Sequence, residues 1–177
     1  MQVSEQGVGA GKTGRYQVVP RTLMFVTSIN PASGGEELLL LKGAPNKRLW
    51  ANKYNGIGGH VEPGEDFLTA ARRELAEETG LQDVRLILRG VLNIAVHPSG
   101  DAPNGVAVFV FTGRTHERGV RASSEGSLHW VPMTDVASLA LVDDLYQLLP
   151  LLHNSQRMIY GHYQPDENGE MTCRFPI

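Results

Sequence analysis

Residues Gly59 to Leu81, GHVEPGEDFLTAARRELAEETGL, constrain this chain more than any other stretch. Pro63-Gly64 is a turn signal, so the stretch reads as a loop running into a helix. Asp66 is placed to cap the helix start, and Gly80 sits where a helix commonly stops. Winding the residues at about 100° each puts Phe67, Leu68, Ala71 and Leu75 on one arc facing a core. Glu74, Glu77 and Glu78 fall on the adjacent arc at spacings i, i+3 and i+4, with Ala70 among them leaving room. Like charges at these spacings repel by a few tenths of a kcal/mol per pair, roughly. Glu77 and Glu78 also lie in the last turns, where the helix dipole disfavours anions. Arg73, four residues before Glu77, offsets part of this. An acidic stretch alone is most simply a solvated helix face. The alternative is a bound cation, and carboxylate oxygens that meet substrate phosphates suit Mg²⁺.

The spacing favours the cation. Gly59, five residues, Glu65, seven residues, then Arg73-Glu74-Leu75-Ala76-Glu77-Glu78-Thr79-Gly80-Leu81 resembles the complete signature box of the Nudix family. At typical residue frequencies such a match arises by chance on the order of 10⁻⁷ times in a chain of this size.

The chain of 177 residues is long enough for one domain with its own core. Its net charge of −3 argues against nucleic-acid backbone as a partner. It leaves open a small phosphate ligand held through metal. The single cysteine, Cys173, cannot close an internal disulfide, which predicts a reducing, cytoplasmic setting. No apolar run reaches membrane-spanning length and no leader-like segment opens the chain, so no membrane partner is expected. Oligomeric state stays open between monomer and dimer.

Residues 1–15 read as a flexible, glycine-rich tail and 16–177 as a single domain. Gly7 to Thr13 looks like a phosphate-binding loop but lacks the first glycine, with Gln6 in its place. Strands are expected over Tyr16–Ser28, Leu38–Leu41, Arg85–His97, Val106–Thr115 and Ser127–Pro132. A closing hairpin is expected over Met158–Tyr163 and Glu170–Phe175, around Asp166 to Gly169. Val142–Leu152 has leucines at helical spacing, with Pro150 set to kink or shorten the helix. Strands with two helices imply a layered α/β domain of the α+β kind. The resemblance sharpens this to the Nudix fold, a mixed β-sheet sandwiched between helices.

Between residues 42 and 53 runs a basic loop with Lys42, Lys47, Arg48, Trp50 and Lys53. It is either a solvated loop or a set of cations meeting substrate phosphates. Three glycines in Gly56-Ile57-Gly58-Gly59 let a backbone approach something closely. The six histidines show no metal-ligand spacing, although His60, next to the box glycine, is a candidate phosphate contact.

The family resemblance implies hydrolysis of a nucleoside diphosphate linked to another group, with Mg²⁺, or Mn²⁺ as the alternative. By position, Glu77 and Glu78 resemble metal ligands, and Glu74 a ligand or the general base. Arg73 resembles the residue that holds a glutamate in place, Glu65 a loop stabiliser, and the Gly58 carbonyl a further ligand. Tyr54-Asn-Gly-Ile-Gly-Gly59 and Glu125, five residues before Trp130, resemble the MutT-type subgroup that removes oxidised nucleoside triphosphates. So do Val142-Asp-Asp144, with the leucine-rich helix after it, and Tyr160-Gly-His-Tyr163. That resemblance makes Glu125 a further metal ligand or base. It also makes Asn55, Asp143 and Asp144 readers of a purine edge, against the simpler reading of the acidic pair as a helix cap. Relatives carry a stacking tryptophan two residues before the pair, where this chain has Leu141, so Trp50 or Tyr54 is the candidate aromatic face. The expected substrate is 8-oxo-dGTP or a related purine triphosphate. ADP-ribose, NADH or a dinucleoside polyphosphate are the rivals within the family, and a non-catalytic nucleotide sensor the rival outside enzymes.

Overall fold

A computed structural model describes residues 16–96, 104–121, 125–168 and 170–176. The glycine-rich segment 1–15, His97 and most of the loop after it lie outside the described residues.

β1 (Gln17–Ile29) and β2 (Glu36–Gly43) form an antiparallel hairpin. Asn30 closes its turn by accepting the Ala32 amide at 2.8 Å. The two-residue β3 (Tyr54–Asn55) precedes α1 (Phe67–Thr79). β4 (Ile87–Val96), β5 (Asn104–Arg114) and β6 (Gly126–Pro132) follow. A 3₁₀ turn at Val136–Ser138, not foreseen from the sequence, leads to α2 (Leu145–Asn154), β7 (Ile159–Pro165) and β8 (Met171–Arg174). The strands make one mixed sheet in the order β3-β2-β1-β5-β4-β7-β8, and β6 pairs with β2 off that path. β1 runs parallel to β5 and β4 parallel to β7, while the other pairings are antiparallel.

Strand alternation divides the core in two. Met24, Val26 and Leu39 pack with Ala71 and Leu75 of α1. Phe25, Leu38 and Leu40 pack with Leu145, Leu148 and Leu152 of α2. The sheet therefore lies between the helices, as the resemblance implies. Burying a leucine such as Leu148 contributes about 2 kcal/mol.

α1 begins and ends on local chemistry. The Asp66 carboxylate accepts the amides of Leu68 at 2.8 Å and Thr69 at 3.0 Å. Gly80 adopts φ 80°, and its N–H returns to the Ala76 carbonyl. Two residues differ from the expected faces. Ala70 is buried rather than spare room beside the carboxylates. Phe67 stays 41% exposed and stacks on Phe109, with ring centroids 3.7 Å apart. It covers the core with one ring face instead of entering it.

α2 starts three residues later than expected. Val142 is tied to the Tyr54 carbonyl at 2.9 Å, which keeps residues 142–144 in a turn. Pro150 lies inside the helix, yet the helix runs through to Asn154. Leu148, Leu149 and Leu152 anchor it on both sides of the missing amide. Among the described residues no helix is long and apolar enough to cross a membrane.

Candidate active site

The glycine run is laid against β1. Met24 and Ile57 exchange backbone bonds at 2.6 and 3.1 Å, and the Thr22 amide donates to the Gly59 carbonyl at 2.9 Å. The approach is too close for side chains. A Cβ on Gly58 would stand 2.1 Å from the Thr22 carbonyl oxygen, and one on Gly59 would stand 2.1 Å from the Glu74 carboxyl carbon. The glycines thus bring a loop backbone into contact with the acidic face of α1.

Arg73 organises that face. Its guanidinium grips Glu65 through two bonds, at 2.7 and 3.1 Å, and reaches Glu74 at 3.0 Å, Glu77 at 3.2 Å and the His60 carbonyl at 3.0 Å. Planar bidentate pairing of this kind fixes orientation as well as charge. Its bonds to Glu65, aided by the Glu62 amide, hold that carboxyl below its usual range. Glu65 first, and then Glu74, raise the Arg73 pKa further.

Glu78 differs from its neighbours. Its Oε2 is buried with no hydrogen-bond partner among the described residues. Burial first, then repulsion from Glu74 and Glu125, pushes the carboxyl up to about 7, against the Gly58 amide and Lys47. Lys47 pairs with Glu125, which sits just before β6. Lys53 pairs with Asp143 at 2.6 Å.

A cleft of about 740 Å³ gathers these groups. Gly58, Gly59, Glu74, Glu77, Glu78 and Glu125 line it. Asn55, His60, Trp50 and Asp144 line it as well, and Leu92, Ile94, Val106 and Val108 add an apolar surface from β4 and β5. Among the described residues no three His, Cys, Asp or Glu side chains converge as a ready cage for a metal ion. Arg73 engages both Glu74 and Glu77. A Mg²⁺ site needs only one or two carboxylates, completed by water and substrate phosphate. The donor set fits such an ion: hard oxygens, one of them buried and unpaired on Glu78, beside further carboxylates.

The other candidate residues divide. The acidic pair is separated: Asp143 has an 87% exposed side chain outside the cleft, whereas Asp144 faces into it. Asp144 occupies the α2 N-cap position but makes no side-chain cap bond. It accepts the Tyr163 hydroxyl at 3.0 Å instead. Burial, with Asp143 adding to it, raises its pKa despite that bond. The Asn55 side-chain oxygen accepts the Gly56 amide at 2.8 Å. Lys42 does not line the cleft; its ammonium lies 5.5 Å from the Tyr54 ring centroid. Leu141 is buried in the core, so no stacking face stands at that position. Trp50 is 47% exposed and lines the cleft from a left-handed backbone, φ 59°.

The sequence places Tyr163 in a family-like stretch and the apolar residues of β4 and β5 in strands, but assigns none of them a part in the site. Ile159, Gly161 and Tyr163 alternate inward along β7. A tyrosine at such a position needs a partner for its hydroxyl, which was the available signal.

The NUDIX domain pattern matches residues 24–152. The oxidized purine nucleoside triphosphate hydrolase of Danio rerio is 30% identical over 125 residues, spanning 71% of this chain and 78% of that protein. A MutT protein structure from Bacillus halodurans superposes with a TM-score of 0.73 at 23% identity, covering 89% of this chain and 97% of the other. The NUDIX domain of Shewanella oneidensis NrtR, solved with ADP ribose, gives a TM-score of 0.67 at 16% identity over 87% and 98% of the two chains. These two structures speak for the fold.

Proposed function

The chain belongs to the Nudix family, and from that premise we propose that it is a divalent-metal-dependent diphosphohydrolase of oxidised purine nucleoside triphosphates. The representative substrate is 8-oxo-dGTP, cleaved to the monophosphate and pyrophosphate. The observation that carries this reading is one cleft lined both by the box carboxylates and by Asn55 and Asp144. The relative from Danio rerio, whose name states that activity, supports it.

Glu77, Glu78, Glu125 and the Gly58 carbonyl are the groups assigned to the metal, Mg²⁺ or Mn²⁺. When bound, the metal neutralises phosphate charge and acidifies the attacking water. Glu74, held between Arg73 and Gly59, is the group assigned to take the proton from that water. Arg73 acts as a positioning residue. Its bonds to Glu65 and the His60 carbonyl tie the loop to α1, so the carboxylates arrive already oriented.

In the same cleft, Asn55 and Asp144 are assigned to the base. An amide offers a donor and an acceptor, and a carboxyl offers one or both depending on its proton. Tyr163 fixes the Asp144 orientation. Asp144→Ala is expected to lower kcat/KM for 8-oxo-dGTP roughly 10²-fold more than for dCTP, because only the purine loses its buried partner. Asp143→Ala should leave both close to wild type, since that side chain is exposed. Steady-state kinetics on the two substrates checks this, and equal losses from Asp144→Ala would remove the residue from base recognition.

A further inference from the structure

A second cavity of about 680 Å³ lies at the opposite end of the strands that form the cleft. The cleft takes Leu23 from β1, Leu92 from β4 and Val108 from β5. The cavity takes Phe25, Arg89 and Arg114 from the same three strands. Among the described residues none lines both.

Its charge runs against that of the chain. The protein carries a net −3, yet among the described residues Arg85, Arg89, Arg114, His116 and His153 surround this cavity with a single acid, Glu36. Arg114 already occupies that acid, at 2.5 Å. Arg85 has no hydrogen bond or ion pair among the described residues.

Arg89 is the unusual member. It is only 7% exposed, and among the described residues no carboxylate pairs with it. Its Nη2 donates to the Ser155 and Leu152 carbonyls at the end of α2, while its Nε is buried without a partner. A buried guanidinium with neutral partners alone is costly, because carbonyl dipoles replace only part of its hydration. An anion beside it removes that cost. Guanidinium groups present a planar fork that matches phosphate oxygens. Beneath the cations the cavity is apolar, with Phe25, Leu38 and Leu152 in its lining.

We propose that this cavity is a second ligand site, which binds a small phosphorylated organic molecule through Arg85, Arg89 and Arg114 with its carbon body on the apolar lining. The site is independent of the chemistry assigned to the cleft.

The test is an NMR titration of the ¹⁵N-labelled protein in EDTA at constant ionic strength, with phenyl phosphate and inorganic phosphate as probes. Expected are saturable shifts centred on Gly113, Arg114 and His116, with phenyl phosphate binding at least about 10-fold more tightly than phosphate. The exposed pair Arg85→Gln and Arg114→Gln, which spares the buried Arg89, should weaken phenyl phosphate about 10-fold or more. Shifts confined to cleft residues, shifts that do not saturate, or unchanged affinity in the double variant would each overturn the site. Equal affinity for the two probes would overturn the role of the apolar lining. With metal and nucleotide absent, either result leaves the reading of the cleft untouched.

Discussion

Glu78→Gln is expected to lower kcat by about 10²-fold or more while the protein melts no earlier than wild type. Both halves have the same cause. Glu78 sits where burial and two other carboxylates oppose its charge, and its Oε2 has no donor. Glutamine keeps the shape and an oxygen for the Gly58 amide, but removes the charge. The folded chain without metal therefore loses a repulsion rather than a support. Catalysis loses an anionic oxygen ligand, which a neutral amide replaces poorly. Stability and function pulling apart at one residue is what a functional site predicts. Steady-state kinetics and a thermal melt decide it. Wild-type turnover would take Glu78 out of the chemistry, and a sharp fall in Tm would make it a structural residue.

Gly59→Ala is the second large effect, with Gly58→Ala as its counterpart. Neither glycine adopts a left-handed φ, so the issue is space alone. At Gly58 the new methyl meets the Thr22 carbonyl, part of a paired strand that cannot yield. Loss of fold is expected there. At Gly59 the methyl meets the end of the Glu74 side chain, which can rotate away. The fold should survive, with Glu74 displaced from its bond to Arg73. We expect kcat to drop by about 10²-fold with a Tm within a few degrees of wild type. Circular-dichroism melts and kinetics on the two variants separate the cases. A fully active Gly59→Ala protein would show that the placement of Glu74 does not matter.

The box helix was legible because its determinants are local. Asp66 and Gly80 act within one turn of themselves, and the glutamate spacing follows from helical geometry. The acidic pair was not legible in the same way. Asp143 and Asp144 are neighbours in sequence, and what parts them is a turn held by the backbone of Tyr54, some ninety residues earlier. The same tether delays α2 and takes both aspartates out of the capping role. Tyr163 reaches Asp144 only because β7 lies beside β4, a parallel pairing that no local pattern announces. The arginine-lined cavity was invisible for a like reason. Arg85, Arg89 and Arg114 are far apart in sequence or out of the regular ladder, Arg89 at the bulge between Leu88 and Gly90, and only the folded sheet sets them around one space. Ala70 shows the limit of a helical wheel. Counting assigns an arc, but which arcs are covered depends on what the rest of the fold lays against the helix.

The most direct test of the whole account is product analysis by ³¹P NMR. Purified protein is incubated with 8-oxo-dGTP and Mg²⁺, with parallel samples in excess EDTA and with ADP-ribose in place of the triphosphate. The account predicts 8-oxo-dGMP and pyrophosphate in equal amounts, no orthophosphate, arrest in EDTA, and much slower turnover of ADP-ribose. Orthophosphate and a diphosphate as products, turnover that persists in EDTA, or faster cleavage of ADP-ribose than of the triphosphate would contradict it.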